Sequence, residues 1–238
     1  MILLAALALA AAPHAHREHA SPSAHARAST DWTRVASATP AGGFVMGNPA
    51  AKVKLVEYGS LTCPHCRHFD QTAAAPLAAY VRTGQVSWEF RPFLLSAYDI
   101  PATLTASCNG AATFFPMMHA LYTSQPDWVA KMQAIPAERL EALRKLPPAR
   151  QFAEIGIAAG FLAFGAAYGI PAGKISTCLG NQVAADKAVQ LTTDAENKFQ
   201  VHSTPTFMIN GATVDYSVGP SVWAAVDAQL KSSLAKVK

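Results

Sequence analysis

Charge is scarce in this chain. Only 14% of its 238 residues are Asp, Glu, Lys or Arg, no block of like charge occurs, and the formal net charge is a mild +4. Nucleic-acid binders carry a basic stripe or helix, so that class of partner is excluded. The apolar share of 51% excludes a disordered chain and is enough for a substantial core. Apolar runs of membrane-spanning length are also missing, since the N-terminal run covers only residues 2–12 and a span needs about twenty. Residues 155–173 are free of charge and contain the small-xxx-small patterns "GIAAG" and "GAAYG", yet they hold five glycines and Pro171. A tightly packed buried helix accounts for them better than a membrane span. Internal repeats are absent.

Residues 1–12 have the character of the apolar part of a secretory signal, with Ala8-Leu9-Ala10 as a small-x-small cleavage site, although no Lys or Arg precedes the run. Export is the expectation. Residues 13–42 are rich in Ala, Ser, His and Pro and hold four of the eight histidines at irregular spacing, which reads as a low-complexity linker.

Order is expected to begin near "GGFVMGNPAAKVKLVEYGS". Val53, Leu55 and the run to Tyr58 read as a buried strand. A helix is expected from about Cys63, with Cys66, Phe69, Ala73 and Leu77 at helical spacing and Pro76 kinking or dividing it. "QVSWEFRPFLL" supplies a second strand. Residues 101–180 read as three or four helices with breaks near Pro126 and at Pro147-Pro148. A helix over 183–199 follows, then two short strands about Asn210-Gly211 and a final amphipathic helix carrying Val222, Val226 and Leu230 on one face.

The chemistry concentrates in "SLTCPHCRHF", where Cys63 and Cys66 flank Pro64 and His65. At a helix start the unpaired N–H groups and the helix dipole favour a thiolate, the species that both attacks and leaves in thiol–disulfide exchange. Pro64 suits the first helical turn, and His65 is expected to place a donor or partial positive charge near the first sulfur. A structural zinc site needs four ligands in register, and no second Cys-x-x-Cys or His-x-x-x-His partners this one, while His65 and His68 would crowd a single helical turn. A purely structural disulfide gains little from closing so short a loop. A redox dithiol is the expectation, with a metallochaperone using Cys63, Cys66 and His65 as the alternative of another class. Cys108 and Cys178 complete an even count and form a natural second pair, but four cysteines allow three connectivities. Glu57 is anomalous in an apolar strand: buried, it would be costly and its pKa would rise, and an edge-exposed Glu is the alternative. Pro205, after Thr204 and at the head of an apolar strand, invites a cis bond or an ordinary strand-edge role.

Cys63-Pro64-His65-Cys66, the approach "LVEYGSLTCPHC" and the distant "STPTFMING" together resemble the DsbA-like thiol:disulfide oxidoreductases of the thioredoxin superfamily, over residues 43–238. The resemblance implies an α/β thioredoxin fold, residues 43–100 plus 181–238, interrupted by an inserted helical domain at 101–180. It implies that Cys63 exchanges with substrate and that Cys66 resolves the mixed disulfide. Pro205 would be cis against the sulfurs, with Thr204 and Pro205 forming a substrate-binding wall. Glu57 matches a buried acid that assists proton transfer at Cys66. Cys108 and Cys178 would close a second disulfide. No cofactor is implied. Reduced exported polypeptides would be the substrates of a periplasmic, monomeric enzyme recycled by a DsbB-like membrane protein. Enteric members carry Val where this chain has Thr204, a residue also seen in disulfide isomerases, so an isomerase or reductase on the same fold is the enzymatic alternative.

Overall fold

The computed structural model describes residues 30–237. The signal-like segment 1–12 and the first part of the linker, to residue 29, lie outside the described residues.

Six strands form one mixed sheet: β1 (Ala36–Ala38), β2 (Phe44–Gly47), β3 (Val53–Gly59), β4 (Val86–Pro92), β5 (Thr206–Ile209) and β6 (Ala212–Thr213). Their order is β1-β2-β4-β3-β5-β6, with β3 and β4 parallel and every other neighbour antiparallel. A parallel pair requires a crossover, here helix α1 (Pro64–Arg82). Strand alternation sends Val53, Leu55 and Glu57 of β3 with Val86, Trp88 and Phe90 of β4 to the α1 side of the sheet. Cys66, Phe69, Asp70, Ala73, Leu77 and Val81 form the buried stripe of α1 that meets them. Phe69 packs at a tilt against Phe207 of β5, with ring centroids 4.4 Å apart, and burying such a ring is worth about 2 kcal/mol.

After β4 come α2 (Asp99–Ser107), α3 (Ala111–Thr123), α4 (Gln125–Gln133), α5 (Ala137–Leu143), α6 (Pro148–Ala158), α7 (Phe161–Ala167) and α8 (Ala172–Leu179). The chain then returns to the sheet through α9 (Gln182–Phe199), β5, β6 and α10 (Val222–Lys236). Val226 and Leu230 of α10 are fully buried. Asn210 and Gly211 both adopt left-handed backbone (φ 50° and 85°), as a tight two-residue hairpin demands.

Four sequence expectations are corrected. The segment read as linker to residue 42 already contains β1 and a 3-10 turn at Trp32–Arg34, and "FVMG" is strand β2. Pro76 does not divide α1, which runs on to Arg82; Thr72, four residues earlier, lies on the exposed face, while Ala73, Leu77 and Val81 are buried and hold the helix to the core. The inserted block holds seven helices rather than three or four. Its uncharged stretch is no single helix: Gly160, at φ 88°, reverses the chain between α6 and α7. Two of its five glycines, Gly156 and Gly165, serve close packing. A Cβ on Gly156 would fall 2.6 Å from Leu179, and one on Gly165 would collide with Ile175. Among the described residues no helix is long and apolar enough to cross a membrane.

Candidate active site

In open α/β sheets, reactive groups gather beyond the carboxyl ends of the parallel strands. Here β3 ends at Gly59, residues 60–62 form a tight loop, and Cys63 is the N-cap of α1 with Pro64 in the first turn. No side chain caps this helix, so its first N–H groups are left for the sulfur. The Thr204–Pro205 peptide bond is cis, and the Thr204 carbonyl lies 3.5 Å from Cys63 Sγ. The structure therefore brings together the two sequence features on which the expectation rested. Both cysteines are unbonded.

The two sulfurs sit in opposite electrostatic settings. Cys63 is lowered from 9.0 to about 5. The Cys66 thiol, donating to it, is the main cause; burial opposes. The Thr204 hydroxyl, buried and without a hydrogen-bond partner of its own, and the backbone N–H groups of Cys66 and His65 add to the effect. Cys66 is fully buried and is pushed well above 9.0, first by burial, then by its bond to the Cys63 sulfur and the charge of Glu57. One sulfur is thus poised as a thiolate and the other held as a thiol.

Glu57 is 2% exposed, which settles its position: it is a core carboxyl, not an edge residue. Burial raises its pKa well above 4.5, the neighbouring Asp70 raises it further, and the indole N–H of Trp88, donating at 3.1 Å, opposes. His65 departs from expectation. Its side chain is exposed, and what acts on Cys63 is its backbone N–H rather than its imidazole. Pro64 is exposed at the helix start. Cys108 and Cys178 form a disulfide that ties the end of α2 to α8, within the helical block and not part of the dithiol site.

Sequence reasoning missed several site residues. Asp70 lies one helical turn beyond Cys66 on the buried stripe of α1 and is paired with His119 of α3. A carboxylate on an apolar helical stripe is a readable signal. Asp99, Tyr122 and Gln125, which bond to the loop at 60–63, gave none, because only the fold brings them there. Beside the site a groove of about 200 Å³ is lined by His65, His68, Phe69, Thr72, Val222 and Trp223. Among the described residues no group of three or more His, Cys, Asp or Glu side chains could hold a metal ion.

Comparison with known proteins agrees with this geometry. The family model described as Thioredoxin matches residues 39–230. A protein-disulfide isomerase from Novosphingobium aromaticivorans has a similar structure, with a TM-score of 0.71 and 32% identity over 80% of this chain and 96% of that one. The alpha-DsbA1 of Wolbachia pipientis shares the fold at a TM-score of 0.64 and 19% identity, covering 84% of this chain and 94% of its own. A Rickettsia felis protein provisionally named a protein-disulfide oxidoreductase is 28% identical over 197 residues, 82% of this chain; the match spans 63% of that relative's length.

Proposed function

The chain belongs to the thioredoxin family, and on that premise we propose that it is a DsbA-like thiol:disulfide oxidoreductase that introduces disulfide bonds into exported proteins. The observation that carries this reading is the asymmetry of the dithiol, with Cys63 at about 5 and Cys66 driven upward. In the oxidised enzyme a substrate thiolate attacks Cys63 Sγ. The Cys63–Cys66 bond breaks, a substrate–Cys63 disulfide forms, and Cys66 leaves with the electron pair. Glu57, its pKa raised by burial, is the acid that supplies the proton to Cys66. A second substrate thiol, losing its proton, attacks the first substrate sulfur and displaces Cys63 as a thiolate. Two electrons pass from substrate to enzyme. A sulfur stable as thiolate is a good leaving group, and its stability favours the reduced enzyme, which makes the disulfide oxidising.

The groove beside His65 and the backbone at Thr204 offer an extended polypeptide a place next to Cys63. Export rests on the apolar segment at 2–12 and on the Cys108–Cys178 disulfide, a bond that persists in oxidising compartments. The periplasm is the compartment proposed, the protein acting as a monomer and a DsbB-like membrane protein restoring its disulfide. The test is the reduction potential of the Cys63–Cys66 pair against glutathione, with Cys63→Ser as the inactive control. A value well above that of thioredoxin, about −270 mV, supports the oxidase; one at or below it refutes it. A second reading, isomerase, is favoured by the Novosphingobium isomerase at 32% identity. Recovery of activity from a scrambled, fully oxidised substrate faster than from a reduced one would select it.

A further inference from the structure

The loop that carries Cys63 is held from behind by the inserted helices. Between β3 and α1, Ser60, Leu61 and Thr62 pair with no strand, and their polar groups need partners. Three buried side chains beyond β4 provide them. Gln125, at the start of α4 and 4% exposed, donates its amide to Leu61 O at 2.7 Å and to Cys63 O at 3.0 Å. Tyr122 of α3, fully buried, donates its hydroxyl to Ser60 O at 3.2 Å. Asp99, the first residue of α2 and 0% exposed, accepts from Ser60 Oγ at 2.7 Å, from Thr62 N at 2.9 Å and from Thr62 Oγ1 at 2.9 Å. The same carboxylate takes Leu95 N and Ser96 N, so it also fixes the turn that leads from β4 into the insert.

We propose that the inserted helices set the reactivity of Cys63 through its loop, with Gln125, Tyr122 and Asp99 as positioning residues. The carbonyls of Ser60, Leu61 and Cys63 all take a hydrogen from the insert, whereas no hydrogen bond links these three side chains to either sulfur. Their action is therefore on the backbone. Cys63 is the N-cap of α1, and its carbonyl accepts both Gln125 Nε2 and Arg67 N. Tilting that peptide turns the sulfur relative to the N–H groups of His65 and Cys66. These groups stabilise the thiolate only when aimed at it, because hydrogen-bond strength falls steeply with angle. Burial keeps water from replacing a lost donor, so losing the Gln125 amide leaves Leu61 O unpaired and Cys63 O with Arg67 N alone. Losing the Tyr122 hydroxyl leaves Ser60 O with Cys63 N alone, and in either case the loop is freer to shift. The inference rests on Cys63 being the sulfur that exchanges with substrate.

The experiment compares the full-length parent with Gln125→Leu, which removes both donors at similar volume, and Tyr122→Phe, which removes one and keeps the ring. Ile175→Ala, a cavity variant in α8 that touches none of the loop, controls for loss of stability. The readouts are the thiolate titration of Cys63 by ultraviolet absorbance and the exchange equilibrium with glutathione. Gln125→Leu should raise the Cys63 midpoint by about one pH unit, a tenfold change in thiolate stability, and Tyr122→Phe by about half as much. Ile175→Ala should lower the melting temperature and leave both readouts in place. Variants that fold but titrate and exchange like the parent overturn the proposal, and if Gln125→Leu does not fold, Tyr122→Phe alone decides it in the same terms. A parent whose Cys63 titrates like an ordinary thiol refutes the proposed oxidase instead; the shift between parent and variants still tests the clamp.

Discussion

Acidifying the reduced protein tests the site more directly than any substitution. The Cys63 thiol titrates at about 5 in the fold against 9.0 ordinarily. A group whose pKa is depressed by folding adds stability that is complete above its unfolded value and is lost as pH falls through its folded value. The window is therefore pH 9 down to pH 5. At pH 7 only the lower half of that window is expressed, which at about 1.36 kcal/mol per pH unit comes to about 2.7 kcal/mol. Cys63 is only 4% exposed, but screening and relaxation around the thiolate still take part of this and leave about 1–2 kcal/mol. In redox terms this makes the disulfide more oxidising by about 20–45 mV for a two-electron couple.

Oxidised protein has no Cys63 thiol, so it is the internal reference. Denaturant unfolding of both forms at pH 5 and at pH 7 isolates the effect, since other groups titrate in both. The stability of the reduced form relative to the oxidised one should rise by about 1–2 kcal/mol between pH 5 and pH 7. A difference that does not change with pH, together with a thiolate midpoint above about 8, would refute the assignment of Cys63 as the stabilised thiolate.

Other outcomes follow from the same structure. Thr204→Val removes the buried hydroxyl that helps lower Cys63, so the midpoint should climb, by about one pH unit, in the same absorbance titration. Glu57→Gln keeps an acceptor for the Trp88 indole but cannot ionise. A buried acid with a raised pKa loses stability as pH climbs above its unfolded value, so this variant should raise the melting temperature more at pH 8 than at pH 4 while slowing release of Cys66 in stopped-flow exchange. Replacing Cys108 and Cys178 by Ser opens a bridge across a sequence separation of 70, which costs about 4 kcal/mol on the chain-entropy model, read by urea unfolding. In Cys66→Ala the Cys63 thiolate should attack a disulfide-bonded substrate, releasing one substrate thiolate, and the mixed disulfide should persist for mass spectrometry because no Cys66 resolves it; its absence would reverse the roles of the two sulfurs.

What the sequence disclosed tracks how local each signal is. The Cys-Pro-His-Cys turn and the Asn210-Gly211 hairpin are fixed by backbone chemistry within a few residues, and both stand where expected. Strand β1 escaped because "ASA" has neither β-branched residues nor an apolar alternation, and it exists only through its pairing with β2. The helix count in the insert was low because Gly110 and Gly160 end helices without a proline beside them. Glu57 was legible as an anomaly, but its burial depended on the sheet having a covered face. His65 misled for a related reason. Its position in the sequence places it beside the sulfur, yet a helix sends successive side chains outward in different directions; the His65 side chain is exposed, and it is the backbone N–H that helps lower Cys63.

The contrast between the two cysteines is itself a consequence of helix geometry. Three residues along α1 make nearly a full turn, which carries the chain from the capping position, where N–H groups are unpaired, to the buried stripe with Phe69 and Ala73. The helix end stabilises negative charge at Cys63, while desolvation penalises it at Cys66. Each sulfur reinforces the other, since the proton that Cys66 keeps is the one it donates to Cys63. Oxidising power then depends on how well that donation and the N–H groups are aimed. Both Thr204, in front of the sulfur, and the loop clamp behind it act on that aim, so the direction of electron flow is adjustable without altering either cysteine.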